Sequence, residues 1–297
     1  MDVINHMRRQ RDALILAHNY QLEEVQNVAD LVGDSYALSK TAALAKEKLI
    51  ILCGVHFMAE SAAILSPDKT ILLPAPDAGC PLADTITPEG LQELKNQHPG
   101  VKVVVYINSS AAVKAVSDIC CTSSNAVKIV RSIPDEEIIF VPDKNLGNYV
   151  QTQVPEKRLI LWPGSCITHD RVKEEEVNRA RKLFPDAQIL VHPECAPNVV
   201  KLADFVGSTS QIIEFARKAS ARRLVIGTEM GTIHRLRTEN PKKEFYTLSP
   251  GLICPNMKKT TLNTVLDSLL YYKNEIKVSQ EISDRARTTL EKMLQVN

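Results

Sequence analysis

One pattern recurs in three stretches of the sequence, ALILAHNY (residues 13–20), KVVVYINS (102–109) and QILVHPEC (188–195). In each stretch a short apolar run, typical of a buried strand, ends in a polar or aromatic side chain. These end residues are His18, Tyr106 and His192, and they are separated by 88 and 86 residues. Similarity at a fixed period indicates an internal repeat.

Four further kinds of marker keep the same order along the chain. They are an aspartate, a hydroxyl residue, a turn proline and a cysteine, namely Asp30, Asp118 and Asp204; Ser35, Ser123 and Thr209; Pro67, Pro155 and Pro241; and Cys80, Cys166 and Cys254. Every neighbouring pair of equivalent markers is 86 or 88 residues apart. Chance does not explain five kinds of marker in one order, so the chain is predicted to contain three repeats.

Each repeat has about four apolar runs, which in the first repeat lie at 13–17, near Leu31, at 49–53 and at 70–73. Helix-like stretches lie between them. Strands that alternate with helices predict right-handed βαβ units and a parallel sheet. We therefore predict an α/β fold of three pseudo-symmetric repeats, each a small parallel sheet flanked by helices, around a central cavity. The predicted domains are 1–98 with Cys80, 99–184 with Cys166, and 185–297 with Cys254 plus C-terminal helices.

Three helices can be predicted in more detail. The stretch 35–45 has apolar residues at helical spacing, and Thr87 and Pro88 supply an N-cap and a first-turn proline for a helix that includes 91–95. Near the C-terminus, 260–272 carries an apolar stripe of helical period, and 276–294 is predicted to be a tail and a final helix.

Composition excludes several classes of protein. With 297 residues, 44% of them hydrophobic and 24% charged, the chain can bury a substantial core. The 36 basic and 35 acidic residues give a net charge of +1, which argues against nucleic-acid binding. No apolar run is long enough to span a membrane or to form a signal peptide, so we expect a cytoplasmic protein. Its seven cysteines should then be reduced.

The repeated polar residues point to one shared site. In open parallel sheets, ligands bind beyond the carboxyl ends of the strands. If these ends face a common cavity, three pairs of residues surround one substrate: His18 and Tyr20, Tyr106 and Asn108, His192 and Glu194. The hydroxyl residues Ser35, Ser123 and Thr209 precede helix-like runs, where phosphate or carboxylate binds well. We expect an anionic substrate.

One cysteine at the equivalent position of each repeat places three soft ligands, Cys80, Cys166 and Cys254, around the same cavity. Zinc with one open position is one candidate, but the C-x₂-C pairing common in structural zinc sites is absent from the sequence. An iron–sulfur cubane normally takes four thiolates. Three thiolates leave one iron free to act as a Lewis acid, so a catalytic cluster fits better.

Simpler interpretations exist for several of these residues. The three repeated cysteines could be buried thiols, and the three hydroxyls could be helix N-caps. We predict that Cys53 and Cys120 are ordinary buried thiols and leave Cys121 and Cys195 open. His169 could line the cluster but has no counterpart in the other repeats. The aspartates of the repeat are predicted to be structural, and the lysines at its turn, Lys69, Lys157 and Lys243, to be solvated.

Ten phrases, in order along the chain, closely resemble the quinolinate synthases, a family of NAD-biosynthesis enzymes. They are ILAHNYQ, VGDS, FMAE, YINSS, CTSSNAV, PDKNLG, HPEC, VGSTSQ, IGTEMG and CPNMKK. The resemblance covers nearly the whole chain. It implies three α/β domains around a cavity that holds an oxygen-sensitive [4Fe-4S] cluster bound by Cys80, Cys166 and Cys254.

The resemblance also implies a reaction, the condensation of iminoaspartate with dihydroxyacetone phosphate to quinolinate, with release of phosphate and water. An aspartate-oxidising enzyme would supply the iminoaspartate. The matching substrate-binding positions are His18, Ser35, Tyr106, Asn108, Ser123, His192, Glu194 and Thr209. For proton transfer and catalysis we predict His18, Tyr20, Tyr106, Asn108 and Glu194. Two alternatives are another three-cysteine hydro-lyase acting on a small carboxylic acid and a non-enzymatic iron–sulfur sensor.

Overall fold

The structure, a computed structural model, describes residues 1–296, so Asn297, the last residue of the predicted third domain, lies outside the described residues. It contains three parallel sheets of four strands each, with helices between the strands. The predicted α/β fold of three repeats is confirmed. The domain boundaries stay a prediction.

The first range, 1–98, contains four strands and five helices. In chain order these are α1 (Asp2–Gln10), β1 (Ala13–His18), α2 (Glu23–Val28), β2 (Leu31–Gly33), α3 (Ser35–Leu44), β3 (Leu49–Cys53), α4 (His56–Leu65), β4 (Thr70–Leu72), a 3₁₀ turn (Ala83–Thr85) and α5 (Pro88–Gln97). The sheet order is β2-β1-β3-β4. The predicted N-cap of α5 is confirmed, because Thr87 Oγ1 accepts a hydrogen bond from Gly90 N at 3.1 Å.

The second range, 99–184, repeats this arrangement. Its elements are β5 (Lys102–Tyr106), α6 (Ala111–Ala115), β6 (Ile119–Cys121), α7 (Ala126–Ser132), β7 (Glu137–Val141), α8 (Lys144–Gln153), β8 (Arg158–Leu161), α9 (Ile167–Asp170) and α10 (Glu174–Leu183). The sheet order, β6-β5-β7-β8, is that of the first repeat.

The third range begins with the same sequence of strands, in the order β10-β9-β11-β12, and ends with helices. Its elements are β9 (Gln188–Val191), α11 (Pro197–Lys201), β10 (Phe205–Val206), α12 (Thr209–Lys218), β11 (Arg223–Gly227), α13 (Thr232–Glu239), β12 (Glu244–Thr247), a 3₁₀ turn (Asn256–Lys258), α14 (Leu262–Tyr271) and α15 (Gln280–Gln295). The helices predicted over 35–45 and 260–272 are confirmed as α3 and α14.

The register between the first two strands of each sheet is also repeated. The paired residues are Leu16 with Leu31, Val104 with Ile119, and Leu190 with Phe205. Since the register is identical, each repeat presents its first-strand end at the same place relative to its second strand.

The repeated aspartates link these two strands, as a structural role predicts. Each carboxylate accepts a hydrogen bond from a first-strand amide: Ile15 N to Asp30 (2.9 Å), Val103 N to Asp118 (2.9 Å) and Ile189 N to Asp204 (2.6 Å). This bond fixes the loop that leads into the second strand.

The prediction of solvated turn lysines is wrong. Each of the three is partly buried and donates to a backbone carbonyl at the C-terminal end of a helix: Lys69 Nζ to Ala42 O (2.6 Å), Lys157 Nζ to Ile133 O (2.7 Å) and Lys243 Nζ to Ala219 O (2.6 Å). The last carbonyls of a helix have no partner within the helix and carry partial negative charge. An ammonium group therefore stabilises α3, α7 and α12 at the same place in each repeat.

The two C-terminal helices return to the first two repeats. Helix α14 packs on α1 and β3, and α15 packs on α4, α6 and β6. The buried side chains of Leu290 and Met293 anchor α15, and Arg287 Nε donates to Ile64 O at 3.0 Å. Over residues 1–296, no helix combines the length and the apolar character that crossing a membrane requires.

Candidate active site

One cavity of about 140 Å³ brings together side chains from all three repeats. Among the residues that line it are all twelve site residues predicted from the sequence: His18, Tyr20, Ser35, Cys80, Tyr106, Asn108, Ser123, Cys166, His192, Glu194, Thr209 and Cys254. The repeats are separated by about 86 residues, so only the tertiary fold can place these side chains together.

The two strand-end histidines are held in the same way. The amide of Tyr20 donates to His18 Nδ1 at 3.2 Å, and the amide of Glu194 donates to His192 Nδ1 at 3.3 Å. Because Nδ1 accepts in both rings, the proton of each neutral imidazole lies on Nε2. Burial lowers the pKa of both His18 and His192 to about 3. Both rings are therefore neutral hydrogen-bond donors at neutral pH.

Glu194 is the acidic centre of the site and is almost completely buried. Tyr106 OH donates to its Oε1 at 2.6 Å, and His169 Nδ1 lies 2.8 Å from its Oε2. Burial opposes ionisation, but the hydrogen bonds from His169 and Tyr106 hold the pKa of Glu194 below its ordinary value. Glu194 is therefore an ionised carboxylate at neutral pH.

Burial and the nearby Glu194 carboxylate have the opposite effect on the two tyrosines. They raise the pKa of Tyr20 and of Tyr106 well above the ordinary value. Tyr20 OH lies 2.9 Å from Thr209 Oγ1 and 2.8 Å from Thr228 Oγ1. Both phenols are thus protonated and can donate a hydrogen bond within the cavity.

His169 makes more contacts with the site residues than the sequence indicated. Its Nδ1 lies 3.2 Å from Cys166 Sγ as well as near Glu194, and its Nε2 lies 3.0 Å from Thr228 Oγ1. Its ring stacks on that of His192 at 4.7 Å. The ligand atoms of Cys166, His169 and Glu194 all lie within 4.8 Å of one another, so this group could hold a metal ion.

Thr228 was missed by the sequence analysis. It is fully buried and bridges Tyr20 to His169. One signal could have found it, because it directly follows β11, and the ends of the other sheet strands supply site residues. It has no hydroxyl counterpart in the other repeats, where Gly54 and Pro142 occupy its place.

The hydroxyl residues line the cavity beside the first turns of helices. In α3 and α12 the N-caps are the preceding residues: Asp34 accepts from Ala37 N at 2.9 Å, and Ser208 from Gln211 N at 3.3 Å. The N-cap interpretation is therefore wrong for Ser35 and Thr209, which are the first residues of their helices. In the second repeat, Ser123 Oγ lies 3.2 Å from His192 Nε2.

The three repeated cysteines line the cavity in equivalent turns. Each of them lies beyond the fourth strand of its sheet, β4, β8 or β12. Burial raises the pKa of each thiol, to about 12 for Cys80. Binding of a cationic group would release these protons, because metals bind the thiolate form.

The spacing of the cysteines helps to define what they could hold. Tetrahedral coordination of one zinc ion brings thiolate sulfurs to about 3.8 Å from one another, given a Zn–S distance of about 2.3 Å. Over residues 1–296, the only group with all ligand atoms within 4.8 Å is the Cys166, His169 and Glu194 set, which does not contain Cys80 or Cys254. The three thiols that line one cavity are of the donor type that iron–sulfur groups take, and they do not form the close ligand set of a single ion.

The remaining four cysteines, Cys53, Cys120, Cys121 and Cys195, are fully buried and do not line the cavity. The prediction of ordinary buried thiols is confirmed for Cys53 and Cys120. Burial raises the pKa of the Cys53 thiol to about 12, so this thiol is unreactive at neutral pH.

Fold and site together define a class of protein: an α/β enzyme with a buried acid–base network and three thiols around one cavity. Comparison with known proteins gives the family. A sequence model of the family described as "Quinolinate synthetase A protein" matches residues 2–295.

Curated relatives named quinolinate synthase are similar over nearly their full length. The protein of Caldicellulosiruptor bescii is 58% identical over 293 residues, covering 99% of this chain and 97% of that protein. The protein of Alkaliphilus metalliredigens is 56% identical over 296 residues, covering 100% and 98%. The protein of Geobacter metallireducens is 54% identical over 293 residues, covering 99% and 96%. The chain belongs to the quinolinate synthase family of NAD-biosynthesis enzymes.

Proposed function

We propose that the protein condenses iminoaspartate with dihydroxyacetone phosphate to give quinolinate, phosphate and two molecules of water. The observation that carries this proposal is the single cavity lined by residues of all three repeats, including an ionised carboxylate, two neutral imidazoles and three thiols. The family favours this reaction over another hydro-lyase activity and over a sensor role.

We propose that Cys80, Cys166 and Cys254 hold a [4Fe-4S] cluster. Their placement around one cavity, one from the equivalent position of each repeat, supports this proposal. When bound, such a cluster would supply a Lewis-acidic iron, because three thiolates leave one iron without a protein ligand.

The substrates are anionic, and the cavity offers them neutral donors. The hydroxyls of Ser35, Ser123 and Thr209 can bind carboxylate or phosphate oxygens beside the first turns of helices, where free N–H groups also favour anions. Neutral His18 and His192 present Nε2–H donors from the strand ends. These groups would orient both substrates without adding a second negative charge to the site.

Ring formation requires protons to leave carbon and hydroxyl groups to depart. Glu194 is our proposed base, because it is ionised and buried within the cavity. Tyr106 donates a hydrogen bond to it and would act as the partner that returns a proton to a departing hydroxyl. Tyr20 and Asn108 line the same cavity and are proposed to orient the reacting atoms.

Iminoaspartate is an imine that water hydrolyses, and it arises by oxidation of the aspartate amine. We therefore propose that an aspartate-oxidising enzyme supplies it. The test of the whole proposal is anaerobic purification, iron and sulfide analysis, and a quinolinate assay with both substrates. We expect four irons and four sulfides per chain and quinolinate formation. A protein loaded with a cluster that makes no quinolinate would contradict the proposed reaction.

A further inference from the structure

We infer that two buried carboxylates, Asp143 and Glu229, are positioning residues that hold the cluster ligands Cys166 and Cys254, an inference that rests on the proposed cluster. The amide of Cys166 donates to Asp143 Oδ2 at 3.1 Å, and the amide of Cys254 donates to Glu229 Oε1 at 3.1 Å. Both carboxylates are fully buried.

The two carboxylates occupy equivalent positions in their repeats. Asp143 and Glu229 are 86 residues apart, and each lies two residues after the third strand of its unit, β7 or β11. The equivalent residue in the first repeat is Val55, which follows β3 at the same distance and has no side-chain acceptor. A carboxylate therefore bonds to the cysteine amide in two of the three repeats.

The backbone around this position is the same in all three repeats. The residue after it donates to the carbonyl two residues before the cysteine: His56 N to Ala78 O (2.8 Å), Lys144 N to Gly164 O (2.8 Å) and Met230 N to Leu252 O (2.9 Å). The carboxylate bonds are thus additional to a shared backbone frame. Their presence distinguishes the turns of Cys166 and Cys254 from that of Cys80.

Each carboxylate makes further bonds that fix its own position. Asp143 Oδ1 accepts from Leu146 N at 2.8 Å and caps α8. Glu229 Oε2 accepts from Gly231 N at 2.7 Å, and its Oε1 lies 2.8 Å from the ammonium group of Lys258. A buried carboxylate is costly unless it is bonded in this way.

The two oxygens of each carboxylate therefore accept hydrogen bonds from different backbone amides. One oxygen anchors the side chain to its own loop, and the other receives the amide of a cysteine whose sulfur faces the cavity. Fixing that amide restricts the direction of the Cα–Cβ bond and so the place of the sulfur. Partners that orient ligands in this way alter metal affinity by about 10 to 100-fold when they are removed.

The test uses anaerobically reconstituted protein and the rate of iron release to a ferrous chelator. Asp143→Asn has one carbonyl oxygen and can satisfy only one of the two amides. Asp143→Ser keeps a good N-cap for α8 but is too short to reach the amide of Cys166 as well. We expect both variants to release iron about 10 to 100-fold faster than the unsubstituted protein.

The matched control is Asp118→Asn, in the same repeat. Asp118 also accepts a bond from a backbone amide, but that amide belongs to Val103 on β5 and not to a cluster ligand. This variant should release iron at the unsubstituted rate, even if its melting temperature falls. Glu229→Gln tests the turn of Cys254 independently and should also release iron faster. It keeps the inference testable if the Asp143 variants do not fold.

The outcomes separate this inference from the proposed function. If the unsubstituted protein binds no iron and sulfide after reconstitution, the cluster proposal itself fails. If that protein is loaded and the Asp143 and Glu229 variants release iron at its rate, the positioning role is overturned. Equal acceleration in Asp118→Asn would also overturn it, because general destabilisation would then explain the result.

Discussion

Glu194 keeps its negative charge inside a protein because its neighbours bond to both of its oxygens. Tyr106 contacts one oxygen and His169 the other. Each belongs to a different part of the chain, so the protonation state of the residue follows from three-dimensional contacts. A carboxylate at the same position in sequence but without these contacts would be neutral after burial.

The base role of Glu194 predicts the effect of removing its charge. Glu194→Gln keeps size and hydrogen bonding but cannot accept a proton, so turnover should fall by about 10² to 10⁴-fold with the cluster retained. Quinolinate formation and iron content measured on the same anaerobic sample check this. Glu60→Gln is a suitable control, because Glu60 is a partly buried carboxylate that does not line the cavity. Unchanged turnover in Glu194→Gln would refute the base role.

Neutral, buried His18 predicts a pH dependence of stability. Its folded pKa of about 3 lies below the ordinary value of 6.5, so the unfolded chain binds a proton that the folded protein does not. The stabilisation is complete above pH 6.5 and is lost as the pH falls from 6.5 towards 3. The free energy of unfolding of the metal-free protein should fall over this window by up to about 1.4 kcal/mol per pH unit from this residue.

This slope is measured by denaturant unfolding at a series of pH values between about 5 and 7.5. His18→Gln should make the slope shallower. His6→Gln serves as the control, because His6 is exposed on α1. Identical slopes in the unsubstituted protein and in His18→Gln would contradict a neutral His18 in the folded state.

At the scale of an element, helix capping and lining of the cavity belong to adjacent residues at the starts of α3 and α12. Asp34 and Ser208 cap the helices, so the hydroxyl residues Ser35 and Thr209 are not needed as caps and line the cavity. The preference for hydroxyl residues at both capping and anion-binding positions explains why sequence alone left the two roles open.

This division predicts opposite effects for two neighbouring substitutions. Thr209→Ala should weaken substrate binding by about 10 to 150-fold, the loss expected for a hydrogen bond to a charged group, with a small change in stability. Ser208→Ala should lower the free energy of unfolding by about 1 kcal/mol, with substrate affinity retained. Calorimetric binding and thermal unfolding of both variants measure the two effects. Equal affinity of Thr209→Ala and the unsubstituted protein would instead assign Thr209 a structural role.

At the scale of the whole molecule, the site exists only where the three repeats meet. Each repeat provides one of the three cysteines that line the cavity. We therefore expect that replacing Cys80, Cys166 or Cys254 by Ser abolishes cluster binding, since no repeat can substitute for another. Iron content and visible absorption after anaerobic reconstitution measure the loss. The controls are Cys53→Ser and Cys120→Ser, which alter buried thiols outside the cavity and should keep the cluster. A normal spectrum in Cys166→Ser together with loss in Cys120→Ser would refute the assignment.

The sequence by itself determined the repeat, the class of fold and twelve of the residues that line the cavity. It could do so because equivalent site residues occur in all three repeats. The apolar pattern of each strand then shows that these residues lie at strand ends. His169 was only a weak candidate and Thr228 was missed, because neither has an equivalent in the other repeats.

Only the tertiary structure decided how these residues act on one another. The contacts between Glu194, His169 and Thr228 cross from one repeat to another, and the return of α14 and α15 to the first two repeats depends on which apolar surfaces remain uncovered. The three lysines looked like solvated turn residues because the helix ends that they bond lie 24 to 27 residues away along the chain. Burial, hydrogen bonding and pKa depend on neighbours in space, and a local pattern of sequence does not contain them.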